Sequence, residues 1–154
     1  MAHLYFVRHA KAGERRQWTD DDMLRPLSKA GWRQSELLAK RLAKVPAKQL
    51  LSSGYVRCIE TLEPTGKRLG LPVLVDDRLT EGAPFDPVLE LLAEAADDTV
   101  LCSHGDLIPD TLLALQRRGT EIRTQPDWRK ASTWVLKRNK HGDIVHATAW
   151  PPPT

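Results

Sequence analysis

No stretch of this chain reaches the ~18 consecutive apolar residues that a membrane-spanning helix requires. Its first residues also lack the basic start, apolar middle and small-residue cleavage site of a secretion signal. A membrane partner is therefore not expected, and the cytoplasm is the expected compartment. Cysteine is scarce: Cys58 and Cys102 are the only two, neither in a C-x-x-C pair. That excludes a disulfide framework, and both read as reduced core thiols. His3, His141 and His146 show no ligand-like spacing, and the "TDDD" run at 19–22 reads as solvated or paired with Arg15 and Arg16 rather than holding Mg²⁺. No metal or other cofactor is expected. Neither sign of charge dominates, with 23 Lys and Arg against 20 Asp and Glu for a net +3. Such a balance suits a small anionic ligand and argues against a nucleic-acid partner. The five tryptophans read as packing residues and not as a base-stacking platform.

Internal repeats are missing as well, and 154 residues make about one domain. Residues 1–150 are read as that domain and 151–154 as a Pro-rich tail. Apolar runs place strands at 3–8, 48–52, 72–75, 99–103, 132–138 and 144–149. Ser28 is positioned to cap a helix carrying Leu37, Leu38, Leu42 and Val45, and a second helix begins near Tyr55. Pro64 is expected to kink or interrupt that second helix. Helices are also read at 86–96 and 106–118, with Pro109 tolerated in a first turn. Strand–helix alternation predicts a three-layer α/β/α sandwich around a mostly parallel sheet. The short "NKHGD" connection makes the last two strands a hairpin, giving the sheet an antiparallel edge strand. "WPPPT" is expected to stay outside the sheet. The charged connection 10–27 is long enough to be functional or mobile.

Ligands of open α/β sheets bind beyond the carboxyl ends of the strands. The first apolar run, "LYFV", ends in Arg8-His9; the second leads through Gly54 and Tyr55 to Arg57; "TVLCS" delivers His104 and Gly105. Two arginines and two histidines thus gather on one sheet edge, where helix N-termini also open. Guanidinium forks match phosphate oxygens, helix N-termini favour anions, and a neutral imidazole is a competent nucleophile. Repulsion from two guanidinium groups is expected to keep His9 neutral. Asp106 reads as complementing a helix dipole, and Trp128, Arg129 and Lys130 as candidate lining of the entrance.

These segments resemble the histidine phosphatase superfamily, which also contains the cofactor-dependent phosphoglycerate mutases. "VRHAKAG" is similar to its R-H-G/A signature, "SSGYVRCIETL" to its S-S-x-x-x-R-A-x-Q-T block, and "VLCSHGDLI" to its S-H-G block, in the family's order. "RPLSKAGWRQSELLAKRL" resembles the segment that follows the first. Small size and the R-H-A variant point to the SixA-like branch. "DDDMLRPLS", "LIPD" and "RKASTWVL" also resemble the phosphatase-like domain that follows a Nudix domain in some actinobacterial nucleotide hydrolases, although no Nudix box is present here.

The resemblance implies a phosphoglycerate mutase-like fold and a metal-free phosphatase. His9 would be the nucleophile, Arg8, Arg57 and His104 would hold the phosphoryl oxygens, and Glu81 in "RLTEG" would serve as proton donor. Lys11 and Arg25 are further candidates for substrate binding. The expected partner is a phosphorylated small molecule (a phosphomonoester or nucleoside phosphate) or a phosphohistidine protein. Two rival readings are a mutase-like phosphoryl transferase and a phosphate-binding module without turnover.

Overall fold

Apolar side chains on both faces of strand β1 (Ala2–Arg8) divide the molecule into layers. Leu4 and Phe6 join one core cluster, while Tyr5 and Val7 join another. The computed structural model describes all 154 residues. Strands β2 (Gln49–Ser52) and β4 (Thr99–Ser103) repeat the division, with Leu51 and Leu101 on the first side and Leu50, Val100 and Cys102 on the second. Helices α1 (Lys29–Leu42) and α2 (Val56–Leu69) cover the second face with Leu38, Leu42, Cys58 and Leu62. Helices α3 (Asp86–Glu94) and α4 (Leu107–Arg117) cover the first with Val88, Leu91, Leu92, Ile108 and Leu112. Each fully buried aliphatic side chain contributes roughly 1.5–3 kcal/mol, so the two clusters hold the three layers together. The expected α/β/α sandwich is the observed one.

Strands β3 (Val73–Val75), β5 (Glu121–Ile122), β6 (Thr133–Arg138) and β7 (Ile144–Trp150) complete a seven-stranded sheet of order β3-β2-β4-β1-β6-β7-β5. Only β6 runs against the rest, pairing antiparallel with both β1 and β7. The expected antiparallel edge strand is thus displaced inward. β6 lies inside the sheet, and the edge belongs to β5, which pairs parallel with β7 through two residues. A two-residue strand carries no periodicity, so the sequence gives no sign of it.

Two local expectations need correction. Helix α2 runs unbroken through Pro64, whose side chain is buried. Proline takes one N–H from the ladder, but burial of Cys58, Leu62 and Thr65 on the same helix outweighs that loss. Trp150 of "WPPPT" is still in the sheet, paired with Thr133, and only residues 151–154 leave it. Ser28 does cap α1, its Oγ accepting from the Gly31 N–H at 3.1 Å. Gly31 also lets α1 press on the chain beyond β1, since a Cβ there would run into the Lys11 carbonyl. The 10–27 connection is a pinned loop: Ala12 bridges Leu27, the Gly13 N–H bonds the Pro26 carbonyl, and 3₁₀ turns form at Arg15–Gln17 and Asp22–Leu24. No helix is long and apolar enough to cross a membrane.

Candidate active site

Parallel register assembles the site. Arg8 on β1 lies opposite Ser103 on β4, and Ser52 on β2 lies opposite Cys102. One residue further, the His9 N–H donates to the Ser103 carbonyl at 3.1 Å and the Ser53 N–H to the Cys102 carbonyl at 3.0 Å. Residues 9, 53 and 104 therefore sit side by side past the strand ends. The rings of His9 and His104 meet edge to face with centroids 5.5 Å apart.

His9 is buried, and its Nδ1 lies 2.7 Å from its neighbour's carbonyl, that of Ala10. A carbonyl only accepts, so Nδ1 carries the proton and Nε2 keeps its lone pair. Burial is the main force that lowers the His9 pKa to about 3, and the charges of Arg57 and Arg8 add to it. The expectation of a neutral imidazole holds, but desolvation outranks guanidinium repulsion as its cause. Thr61 on α2 fixes the backbone here: its Oγ1 accepts from the Ala10 N–H at 2.9 Å and donates to the Arg57 carbonyl at 2.6 Å.

His104 is equally enclosed. Its Nε2 lies 2.8 Å from Ser53 Oγ, which already accepts from the Tyr55 N–H, so the Ser53 hydroxyl donates to Nε2. The remaining proton then sits on Nδ1, which is buried without any partner. A buried donor left unpaired costs roughly 1–3 kcal/mol, a cost that a ligand oxygen would remove. Cys58 Sγ lies 3.5 Å from the same Nε2, so this thiol packs under the site rather than in a remote core. Both cysteines are free and buried, as expected.

Arg57 opens α2 and is 1% exposed. Its Nη1 donates to the Asp22 carbonyl at 3.0 Å, and its Nη2 donates to Asp22 Oδ2 at 3.2 Å and Glu81 Oε2 at 3.1 Å. Tyr55 lies 4.8 Å beneath the guanidinium, and Nε has no partner. Arg8 donates from Nη1 to the Trp128 carbonyl at 2.6 Å, and its Nε is likewise unpartnered. Its plane rests on Gly105, where a Cβ would come within 2.6 Å of Arg8 Cζ. Burial pushes the Asp22 carboxyl up, but hydrogen bonds and charge from Arg25 and Arg57 outweigh it and hold the group below its ordinary range.

Arg8, His9, Arg57 and Glu81 line a cleft of about 360 Å³ together with Lys11, Glu14, Arg15, Arg25, Asp106 and Lys130, and His104 lies behind His9. Every residue expected in the site is therefore brought to one place: His9, Arg8, Arg57, His104, Glu81, Lys11 and Arg25. Arg25 is no mere helix-entry residue, since it is buried and reaches Asp22 at 2.9 Å. Asp106 does not cap α4; its Oδ2 accepts from the Gly82 N–H at 2.8 Å. Asp22, read from the sequence as solvated or paired with Arg15 and Arg16, spends itself chiefly on Arg25 and Arg57. Ser53 and Thr61 are site residues that the sequence reading passes over. The "SSG" and "ETL" fragments around them were the available signal. A larger hollow of about 540 Å³ lies at the opposite sheet edge, lined by Met1, Glu94, Asp97, Arg138 and Lys140 among others, and gathers no such set.

The descriptive model of the histidine phosphatase superfamily, branch 1, matches residues 4–84, just over half of the chain. The chain belongs to that superfamily. Beyond the family, this histidine phosphatase is 33% identical over 153 residues to an 8-oxo-(d)GTP phosphatase of Mycolicibacterium smegmatis. The match takes in 96% of this chain but 47% of that protein, so the chain spans about half the relative's length. Among solved structures, the protein histidine phosphatase SixA complexed with tungstate superposes with a TM-score of 0.74 at 24% identity, covering 96% of this chain and 94% of that one. A mycobacterial glucosyl-3-phosphoglycerate phosphatase bound to VO₃ gives 0.70 at 21% identity, covering 98% and 99%. At these identities the likeness is one of fold, the phosphoglycerate mutase-like α/β/α sandwich of the histidine phosphatases.

Proposed function

We propose that this histidine phosphatase works through a phosphohistidine on His9. The observation that carries the proposal is the pairing of a buried, neutral His9, whose Nε2 is free, with a neighbouring His104 whose buried Nδ1–H lacks an acceptor. Nε2 attacks the phosphorus in line, and the bond to the leaving oxygen breaks. Arg8, Arg57 and the His104 Nδ1–H take up the charge on the non-bridging oxygens. Water then attacks the phosphohistidine, releasing inorganic phosphate and restoring neutral His9. Glu81, held by Arg57 at the cleft mouth, is the group for proton transfer. As an acceptor of guanidinium N–H bonds it is equipped first as the base toward that water. Phosphomonoesters, nucleoside phosphates and phosphohistidine proteins are all substrates of this chemistry, and Lys11 and Arg25 add positive charge where such a substrate enters.

The test is to trap the intermediate. Wild-type protein quenched during turnover of a ³²P-labelled substrate should carry a base-stable, acid-labile label on His9, and His9→Ala should carry none. Hydrolysis that persists in His9→Ala, or label on another residue, would overturn the reading.

A further inference from the structure

The cleft holds more positive charge than one phosphoryl group needs. Besides Arg8 and Arg57, the cleft is lined by Lys11, Arg15, Arg25 and Lys130, against the three carboxylates of Glu14, Glu81 and Asp106. Arg25 is 93% withdrawn from solvent, being only 7% exposed, and it is carefully held: Nε donates to Asp22 Oδ1 at 2.9 Å and Nη1 to the Gly13 carbonyl at 2.6 Å. Its third nitrogen, Nη2, has no partner in the protein. Lys11 and Lys130 form no salt bridge with any carboxylate. A buried guanidinium with one free fork, beside two uncompensated ammonium groups, is an arrangement that an anion completes.

Backbone strain supports the same point. Ala131, directly after Lys130, has φ of 68°, a left-handed conformation that costs a non-glycine residue roughly 1–2 kcal/mol. Its N–H bonds the carbonyls of both Arg8 and His9, at 3.1 and 3.2 Å. The strained turn is thus tied to the nucleophile's own backbone, and it sets Lys130 at the cleft. There burial lowers the Lys130 pKa, and Arg8, Arg25, Lys11 and Arg57 lower it further, a sign of how closely these cations crowd.

We propose that Lys11, Arg25 and Lys130 form a second anion subsite adjoining the phosphoryl site, and that the substrate is a phosphoric anhydride, for which ADP serves as the probe. The assignment rests on the phosphohistidine reading and deepens it. The terminal phosphoryl group lies against His9, and the penultimate phosphate lies among these three cations. His9 Nε2 forms the new P–N bond as the P–O–P bridge breaks, and the bridging oxygen leaves with the penultimate phosphate. Water later cleaves the P–N bond, so a diphosphate and water give a monophosphate and inorganic phosphate. Glu81 favours this leaving group. Its Oε2 accepts from Arg57 at 3.1 Å and its Oε1 lies 3.8 Å from Arg15, so the carboxylate faces two cations. A departing phosphate needs no proton from it, whereas an alkoxide does.

Steady-state phosphate release from ADP, AMP and p-nitrophenyl phosphate, by wild type and by the double variant Lys11→Met with Lys130→Met, tests the subsite. Wild type should favour ADP over AMP by tenfold or more in kcat/KM. The double variant should erase most of that preference through a higher KM for ADP. Both lysines are exposed, so the fold is not at stake, and a melting curve will show it. Equal use of ADP and AMP by wild type, or equal losses on all three substrates in the variant, would overturn the subsite. Trapping separates the two proposals: phosphohistidine formed from p-nitrophenyl phosphate without a preference for ADP sinks the subsite alone. Absence of phosphohistidine with every substrate sinks the mechanism and the subsite with it.

Discussion

Arg57 and Arg138 are both buried arginines at opposite edges of one sheet, and they are held in different ways. Arg138 donates from Nη1 to the Leu92 carbonyl at 2.8 Å and from Nη2 to Asp97 at 2.7 Å. It thereby satisfies a carbonyl at the end of α3, where a helix leaves such groups unpaired and a cation is favoured. Arg57 is held by Asp22 and Glu81, two half-exposed carboxylates that also face Arg25 and Arg15, while its Nε stays unpaired. The first is a staple closed on itself. The second is a tool with its working side left open, and the same contrast separates the rest of the two edges.

The largest expected effect falls on His9. His9→Ala should lower kcat by about 10³-fold or more if the proposed phosphohistidine forms there, since the attacking atom would be gone. Next comes the arginine pair itself. Arg57→Met should reduce kcat/KM by about 10²–10³-fold, the scale of losing a transition-state donor. Arg138→Met should leave kcat in place and lower unfolding free energy by about 2 kcal/mol in urea titration, chiefly through the lost carbonyl bonds. If Arg138→Met alters turnover as strongly as Arg57→Met, the division between the edges is false.

Glycines give a finer version of the comparison. Gly105→Ala places a Cβ against the Arg8 guanidinium and should cost kcat/KM about tenfold or more by displacing that donor. Gly142, with φ of 88° at the far edge, should answer alanine with about 1 kcal/mol of stability and no kinetic change. A last effect, confined to acid conditions, is on pH dependence. The folded His9 pKa of about 3 lies below the ordinary 6.5, so the unfolded chain takes up that proton first as pH falls. The contribution is complete above about pH 6.5 and is lost between there and pH 3, at up to about 1.4 kcal/mol per pH unit. His9→Asn should flatten that slope, and the His9 ring should show no NMR titration between pH 8 and 5.

Much of this was legible in the residues. The run "LYFV" ending in Arg-His, and the strand ends that lead to Arg57 and His104, carry both the layers and the site, because parallel register converts equal positions on neighbouring strands into neighbours in space. What stayed hidden depends on longer reach. Asp22 read as solvated or paired with Arg15 and Arg16, and it does lie 3.8 Å from Arg15, but nothing local shows that a loop carboxylate will also fold onto an arginine 35 residues later. β5 was missed because two residues have no period, and Pro64 was misjudged because local propensity ignores the burial that overrides it. The inward position of β6 comes from its pairing with β1 on one side and β7 on the other, and a hairpin read locally does not show which of its strands meets the sheet.

The lone reversed strand has an outcome of its own. Because β6 runs against its neighbours, its beginning, rather than its end, lies beside His9, and the stretch from Trp128 to Ser132 arrives there from outside the chemistry-bearing loops. Natural insertions or laboratory grafts ahead of Trp128 can therefore reshape what the entrance admits, whereas changes within 128–132 act directly on the strand that carries His9, through the bonds from Ala131 and to Trp128.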